Sequence, residues 1–369
     1  MNPIGLYLHV PFCRSKCPYC DFYSKRSTES EMDAYCETLC RGIEESYTAL
    51  QTGSERKADT LYIGGGTPSV LGEERLKSLI MAAKRSFLTE DAEITVECNP
   101  HKLPSDFFRV LRAVGVNRIS LGLQSAVESE RRVLGRLSSR TEVEAVVRAA
   151  QSAGIQNISL DVMLGIPNQT AQSLAETLGF CLSLGVPHIS AYILKLEENT
   201  VFYKRRAQYA FPDDDRTADL YLQMCETLEN GGLRQYEISN FAKAGFQSRH
   251  NLKYWHCEEY LGLGPAAHSF INGKRFYFPR DLSAFLKGEP PIPDGVGGDF
   301  TEYAMLALRL REGLQETAVQ ARFGYKIPQK MRQKADAFAA YGLLENDRAG
   351  IRLTRQGFLL SNSVLAEIL

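Results

Sequence analysis

Leu6-Tyr7-Leu8-His9-Val10-Pro11-Phe12-Cys13-Arg14-Ser15-Lys16-Cys17-Pro18-Tyr19-Cys20 opens as an apolar, strand-like run and ends in cysteines spaced C-x3-C-x2-C. Three thiolates on one short loop can hold three irons of a [4Fe–4S] cluster. No fourth cysteine stands nearby, so one iron would keep an open position for a small chelating ligand. Structural zinc asks for four ligands, commonly in paired C-x2-C knuckles. No second knuckle exists in this chain. The spacing therefore points to chemistry on a cluster rather than to a zinc loop or a redox thiol pair.

Working outward, strand-like runs recur at Leu6–Val10, Thr60–Ile63, Glu93–Cys98, Arg118–Leu123, Asn157–Met163 and His188–Leu194. Helical stretches separate them, at about 29–51, 73–88, 104–114, 140–154 and 170–185. Strand alternating with helix implies an α/β fold with a parallel sheet and right-handed crossovers. Six such units predict an open, partial (β/α)6 barrel over residues 1–200, with the gap left to later residues.

A mixed connecting region, 201–290, follows. It holds one helix at about 213–230, opened by Asp213, Asp214 and Asp215 as capping residues and ended by Gly231-Gly232. Residues 231–270 are rich in Gly, aromatics and His, with little periodicity. Pro290-Pro291-Ile292-Pro293, with Gly295, Gly297 and Gly298, reads as a linker. Residues 300–369 read as helices and a hairpin, Gly342-Leu343-Leu344 to Ile351-Arg352-Leu353, a small winged-helix-like α+β domain.

Composition narrows the function classes. The 369-residue chain is 44% hydrophobic, enough for a sizeable core. Its net charge of −1 argues against bulk electrostatic binding of nucleic acid. No basic start with an apolar h-region suggests a secretory signal, and no apolar run reaches the ~18 residues of a transmembrane segment. Nine cysteines in a chain this long are not a secreted disulfide framework. Cys36 and Cys40 belong to a helical stripe with Met32, Tyr35, Leu39 and Ile43, and read as core filler. Cys98, Cys181 and Cys225 read the same way. A cytoplasmic protein is expected.

In parallel barrels, ligands sit at the C-terminal strand ends. The second strand ends in Gly64-Gly65-Gly66-Thr67-Pro68, whose bare backbone can approach a ligand closely. It lacks the Lys-Ser/Thr of a phosphate loop. Glu97 ends the third strand, Gln124 ends the fourth, and Asp161 lies on the fifth.

The cysteine loop together with Gly64–Pro68 resembles the radical S-adenosylmethionine (SAM) superfamily, and more narrowly its oxygen-independent coproporphyrinogen III oxidase-like group. The likeness extends through Tyr236-Glu237-Ile238-Ser239-Asn240-Phe241-Ala242 and Tyr260–Ser269. It implies that SAM chelates the open iron and is cleaved to a 5′-deoxyadenosyl radical. It assigns Tyr7, Gly65, Gly66, Thr67, Glu97, Gln124, Arg136 and Asp161 to SAM, with Tyr19 available to pack on adenine. Arg136 suits a carboxylate through paired donors.

Within that group, oxidases carry a further cysteine two residues after the third. This chain has Phe22 there, and its cysteine loop begins at residue 13. His250-Asn251-Leu252-Lys253-Tyr254-Trp255 instead resembles the H-N-x-x-Y-W haem-binding motif of HemW-type haem chaperones. The resemblance implies His250 as a haem ligand, with Tyr254 and Trp255 packing on the porphyrin. His256, Cys257 and His268 are reserve ligands, and His9 reads as structural or as part of the site wall. The expected function is cytoplasmic binding of haem beside a SAM-associated cluster, and transfer to a recipient haemoprotein. An electron donor serves the cluster, and any membrane association runs through the recipient. The alternative is a radical oxidoreductase acting on a tetrapyrrole.

Overall fold

The computed structural model describes residues 2–51 and 56–369. Its first six strands are β1 (Ile4–Val10), β2 (Ala58–Gly65), β3 (Leu88–Cys98), β4 (Arg118–Gln124), β5 (Asn157–Leu164) and β6 (His188–Ile193). They lie side by side in chain order and all parallel, with Leu6 opposite Leu61, Ile63 opposite Val96 and Leu121 opposite Leu160. Each crossover carries a helix, as the alternation requires.

The strands read with period two because their faces differ. Leu6, Leu8 and Val10 are fully buried against the helical layer. So are Ile119, Leu121 and Leu123. The alternating residues Tyr62, Glu97, Ser120 and Asp161 turn to the other face, where they bond one another or line a cavity, and Tyr7 on that face bonds His9. Helix Glu29–Leu50 begins in a capping box of Thr28 and Glu31 and buries Met32, Tyr35, Cys36, Leu39 and Ile43. Its Tyr35 hydroxyl donates to the carbonyl of His9 at 2.6 Å, tying helix to strand. Cys36, Cys98, Cys181 and Cys225 are buried free thiols, and burial pushes Cys36 up to about 12.

The region after residue 230 departs from the sequence reading. It supplies β7 (Arg234–Glu237), β8 (Asn240–Ala242), β9 (Tyr260–Leu263), β10 (His268–Ile271), β11 (Lys274–Tyr277) and β12 (Ile292–Val296) to the same sheet. β9 runs parallel to β1 on its free edge, with Leu261 opposite Leu6 and Gly262 opposite Tyr7. The parallel array thus has seven strands. β8 and β7 continue it antiparallel beyond β6, and β10, β11 and β12 beyond β9. The supposed linker is itself an edge strand, where Pro293 faces Phe276. An edge tolerates proline because one side of the backbone needs no partner. Strands this short draw their stability from neighbours, so local periodicity does not reveal them. The sheet stays open, with β7 and β12 at its ends.

Asp213 caps helix Asp214–Asn230 through Arg216 N–H, as expected. The C-terminal part holds helices Phe300–Ala307, Glu316–Phe323 and Gln329–Ala339, then the expected hairpin of β14 (Leu344–Asn346) and β15 (Gly350–Leu353). β13 (Leu314–Gln315) adds to β15, and two short helices finish the chain. Ile238 N–H donates to Arg309 O and Arg311 N–H to Tyr236 O, each at 3.0 Å, stitching this part to β7.

A Cβ on Gly262 would lie 2.1 Å from His268 O. Gly262→Ala should therefore separate β9 from β10 and cost at least about 2 kcal/mol, read from the urea midpoint. An unchanged midpoint would mean that this close approach is not needed.

Candidate functional site

The C-terminal ends of β1 to β5 open onto one cavity of about 670 Å3. Cys13, Cys17, Cys20, Tyr19, Gly65, Gly66, Thr67, Glu97, Gln124, Arg136 and Asp161 all line it. Tyr7 alone of the expected nucleotide residues does not. Its hydroxyl meets His9 Nδ1 at 3.0 Å.

Backbone bonds hold the cysteine loop. Cys13 N–H donates to Lys25 O at 3.0 Å, Lys25 N–H to Pro11 O at 2.9 Å, and Cys20 N–H to Cys17 O at 3.1 Å. The chain after β11 braces the loop, through Arg280 to Asp21 and Leu282 N–H to the Tyr23 hydroxyl. Cys13 Sγ lies 3.3 Å from Thr67 Oγ1. All three thiols are free and partly exposed. Burial raises the pKa of Cys20, and the neighbouring Cys17 and Cys13 raise it further. Phe22 stands 65% exposed at the cavity mouth.

Each glycine of β2's end is required by contact. A Cβ on Gly64 would meet the Tyr62 ring at 2.8 Å, and one on Gly65 the His9 ring at 2.6 Å. One on Gly66 would meet Phe12 O at 2.6 Å, and Gly65 also has φ +108°. His9 thus packs against Gly65, outside the cavity lining. Its Nε2 bonds Tyr23 O, and burial lowers its pKa to about 4. Gln124, at the end of β4, has φ +67°, a strained backbone of the kind that gathers at functional sites.

The carboxylates are held by donors. Glu97 accepts from the Tyr62 hydroxyl at 2.7 Å and Gly65 N–H at 3.2 Å. Asp161 accepts from the Ser120 hydroxyl at 3.1 Å. Burial raises both pKa values, Asp161 to about 7, with the Glu97 charge adding to the effect on Asp161. The Arg136 guanidinium sits 5.9 Å from the Tyr19 ring centroid and leaves no room for a Cβ on Gly122. Its Nε is buried without a hydrogen-bond partner among the described residues.

The H-N-x-x-Y-W segment forms the helix Arg249–Trp255, at the other end of the barrel. His250 is buried beside Gly5, near the start of β1. Its Nδ1 bonds Thr60 Oγ1 and its Nε2 the Tyr254 hydroxyl, each at 2.8 Å. The N–H groups of Arg249 and His250 both donate to the Glu93 carboxylate at 3.1 Å. Burial lowers the His250 pKa to about 3, so the ring is neutral. Trp255 packs with Arg309, 5.7 Å from its ring, and its buried Nε1 has no partner among the described residues. His256 is half-buried, Cys257 is buried, and exposed His268 stacks on Tyr277. The structure does not bring this helix into the cysteine cavity.

Sequence reasoning missed Tyr62, Ser120 and Arg280. Tyr62 and Ser120 sit on the same face as Gly64 and Gly122, a period-two signal present in the chain. Arg280 carries no local signal.

A model of the radical SAM superfamily matches residues 7–181, and one of the HemN C-terminal domain residues 300–360. Heme chaperone HemW of Lactococcus lactis is 35% identical, over 100% of this chain and 98% of that protein. HemW of Bacillus subtilis is 34% identical over 98% of each. The chain belongs to the HemW family of radical SAM proteins. The structure of coproporphyrinogen III oxidase (HemN) from Escherichia coli superposes with a TM-score of 0.85, covering 99% of this chain and 90% of that one. At 21% identity that likeness is one of fold.

Radical SAM proteins use a [4Fe–4S] cluster and SAM, and the residues of this HemW-family cavity fit both. Among the described residues no three His, Cys, Asp or Glu side chains converge on a single ion. Three thiols spread along one loop suit separate irons instead. The unpartnered Arg136 Nε and the two carboxylates could take a carboxylate, an ammonium and hydroxyl groups. SAM held by these residues beside the cluster would supply radical chemistry.

Cys17→Ala should lose the cluster, read as iron and sulfide content after anaerobic reconstitution; a full complement would overturn the assignment. Asp161 gives a pH test in nucleotide-free protein. Its folded pKa of about 7 exceeds its ordinary 3.8, so the unfolded chain ionises first. Its favourable contribution is complete below the ordinary value and is lost as pH rises through about 7. Asp161→Asn should thus gain stability relative to the parent between roughly pH 4 and pH 7 in urea titrations. A constant difference would exclude the shift.

Proposed function

We propose that this chain binds haem and passes it to a recipient haemoprotein, retaining a cluster and SAM in the cavity. The full-length kinship with proteins named heme chaperone HemW carries the reading. Phe22, in place of a further cysteine, supports a carrier over an oxidase. In this reading Cys13, Cys17 and Cys20 hold three irons, and Gly65, Gly66 and Thr67 offer backbone to SAM. Arg136 takes its carboxylate, Glu97 and Asp161 its ammonium or ribose, Gln124 helps to orient it and Tyr19 packs on adenine. Tyr7 acts from beneath, through His9.

The haem site is the H-N-x-x-Y-W helix, with His250 as axial ligand and Tyr254 and Trp255 as porphyrin contacts. The neutral ring keeps a lone pair for iron once Nε2 leaves Tyr254. Residues 1–200, 201–290 and 300–369 act as barrel, haem-bearing connector and docking module. No helix among the described residues is long and apolar enough to cross a membrane. We place the protein in the cytoplasm, meeting membranes through its recipient, with an external electron donor for the cluster.

The test is haem retention after desalting, with anaerobically reconstituted protein. The parent should keep a Soret band near stoichiometry. His250→Ala should weaken it with iron–sulfur content unchanged, and His256→Ala should leave it intact. Negligible retention by the parent would defeat the chaperone reading. Loss in His256→Ala alone would move the ligand to His256.

A further inference from the structure

Tyr62 touches both ends of the barrel. Its hydroxyl donates to Glu97 Oε1 at 2.7 Å, and Glu97 lines the cysteine cavity. Its ring stacks on His250, with centroids 5.3 Å apart and planes 30° apart. Tyr7 flanks both rings, 6.2 Å from Tyr62 and 6.4 Å from His250. His250 is otherwise held by Thr60 and Tyr254. A ring pinned on both nitrogens and on one face leaves only if its stacking partner yields.

The Glu97 side is just as tight. Oε2 accepts from Gly65 N–H, and a Cβ on Gly64 would lie 3.0 Å from the carboxylate. Glu97 therefore has few donors to choose from. A ligand bringing an ammonium or a pair of hydroxyls into the cavity offers stronger, charge-assisted or paired bonds than one neutral phenol. Such a ligand competes directly with Tyr62 for the carboxylate.

We propose that Tyr62 is a positioning residue linking the two sites: SAM in the cavity draws Glu97 from Tyr62, and the loosened ring lets His250 leave Thr60 and Tyr254 for haem iron. The second half rests on the haem-chaperone reading; the first stands on the barrel geometry alone. Linkage makes the effect reciprocal, so haem tightens SAM binding by the same factor.

The experiment uses the full, cluster-reconstituted chain and its Tyr62→Phe variant, which keeps the stacked ring and loses only the hydroxyl. Haem is titrated by its Soret band with and without SAM, and SAM binding is followed by equilibrium dialysis. In the parent, SAM should tighten haem binding by about fivefold or more. Tyr62→Phe should bind haem without SAM as tightly as the loaded parent, and SAM should add nothing further while still binding. An equal SAM effect in the variant overturns the proposal. So does an absent or opposite effect in the parent, a result that needs no variant.

Trp255, the only tryptophan and on the same helix as His250, gives a readout independent of haem. SAM should change its emission in the parent and leave it unchanged in Tyr62→Phe. Failure of haem to bind the parent defeats the chaperone reading. The Trp255 response still decides the link: a SAM-induced change lost in the variant upholds it, and its absence in the parent overturns it.

Discussion

The close approach of Gly66 to the strand beside it is the constraint on which the site depends. Gly66 N–H donates to Val10 O and Thr67 N–H to Phe12 O, each at 2.8 Å. These bonds carry the pairing of β1 and β2 past their ends and into the cysteine loop. Any side chain at Gly66 would strike those same carbonyls. The loop bearing Cys13 therefore sits against Thr67 because two backbones meet there without side chains between them. Glycine's conformational cost is accepted in return for a fixed floor under the cluster loop.

The same strands set a polar lining on the face opposite the apolar core packed against the helices. Glu93, Glu97 and Asp161 lie on one face with Arg118, which is almost wholly buried. Burying several carboxylates together is unfavourable unless donors or a cation reach them. Glu97 has Tyr62 and Gly65, Asp161 has Ser120, and Glu93 has the first N–H groups of helix Arg249–Trp255. Placing Glu93 on a helix N-terminus is favourable for the helix dipole as well. The short His250 helix is thus held by a barrel carboxylate. This explains how His250 comes to be inside, rather than displayed on a surface.

Much of this was legible in the chain. The six parallel strands, the cysteine loop and, apart from the cysteines, eight of the nine residues expected around the nucleotide cavity follow from period, spacing and likeness; the ninth, Tyr7, is not among the lining residues and bonds His9 instead. What was hidden depends on distant partners. Tyr260-Leu261-Gly262-Leu263 is too short and too glycine-bearing to announce a strand, and becomes one because β1 has a free edge. Pro293 argued for a linker and stands in an edge strand. For His250 the sequence shows the residue type and not its partner, the Thr60 hydroxyl 190 positions earlier in the chain.

The late segment's path also bears on how the two ends can act together. Helix Arg249–Trp255 leads directly into β9, and β9 lies along β1, whose far end enters the cysteine loop. Beyond β10 and β11 the same segment supplies Arg280 and Leu282, which brace Asp21 and Tyr23 beside Cys20. One stretch of chain therefore contacts the foot of the barrel, its open edge and the cluster loop in turn. Movement of the His250 helix pulls on a strand that is hydrogen-bonded to β1, and a change in the cluster loop bears on residues just beyond β11. Covalent continuity thus runs alongside the side-chain contact through Tyr62. A connector wholly separate from the sheet could not join the ends in this way.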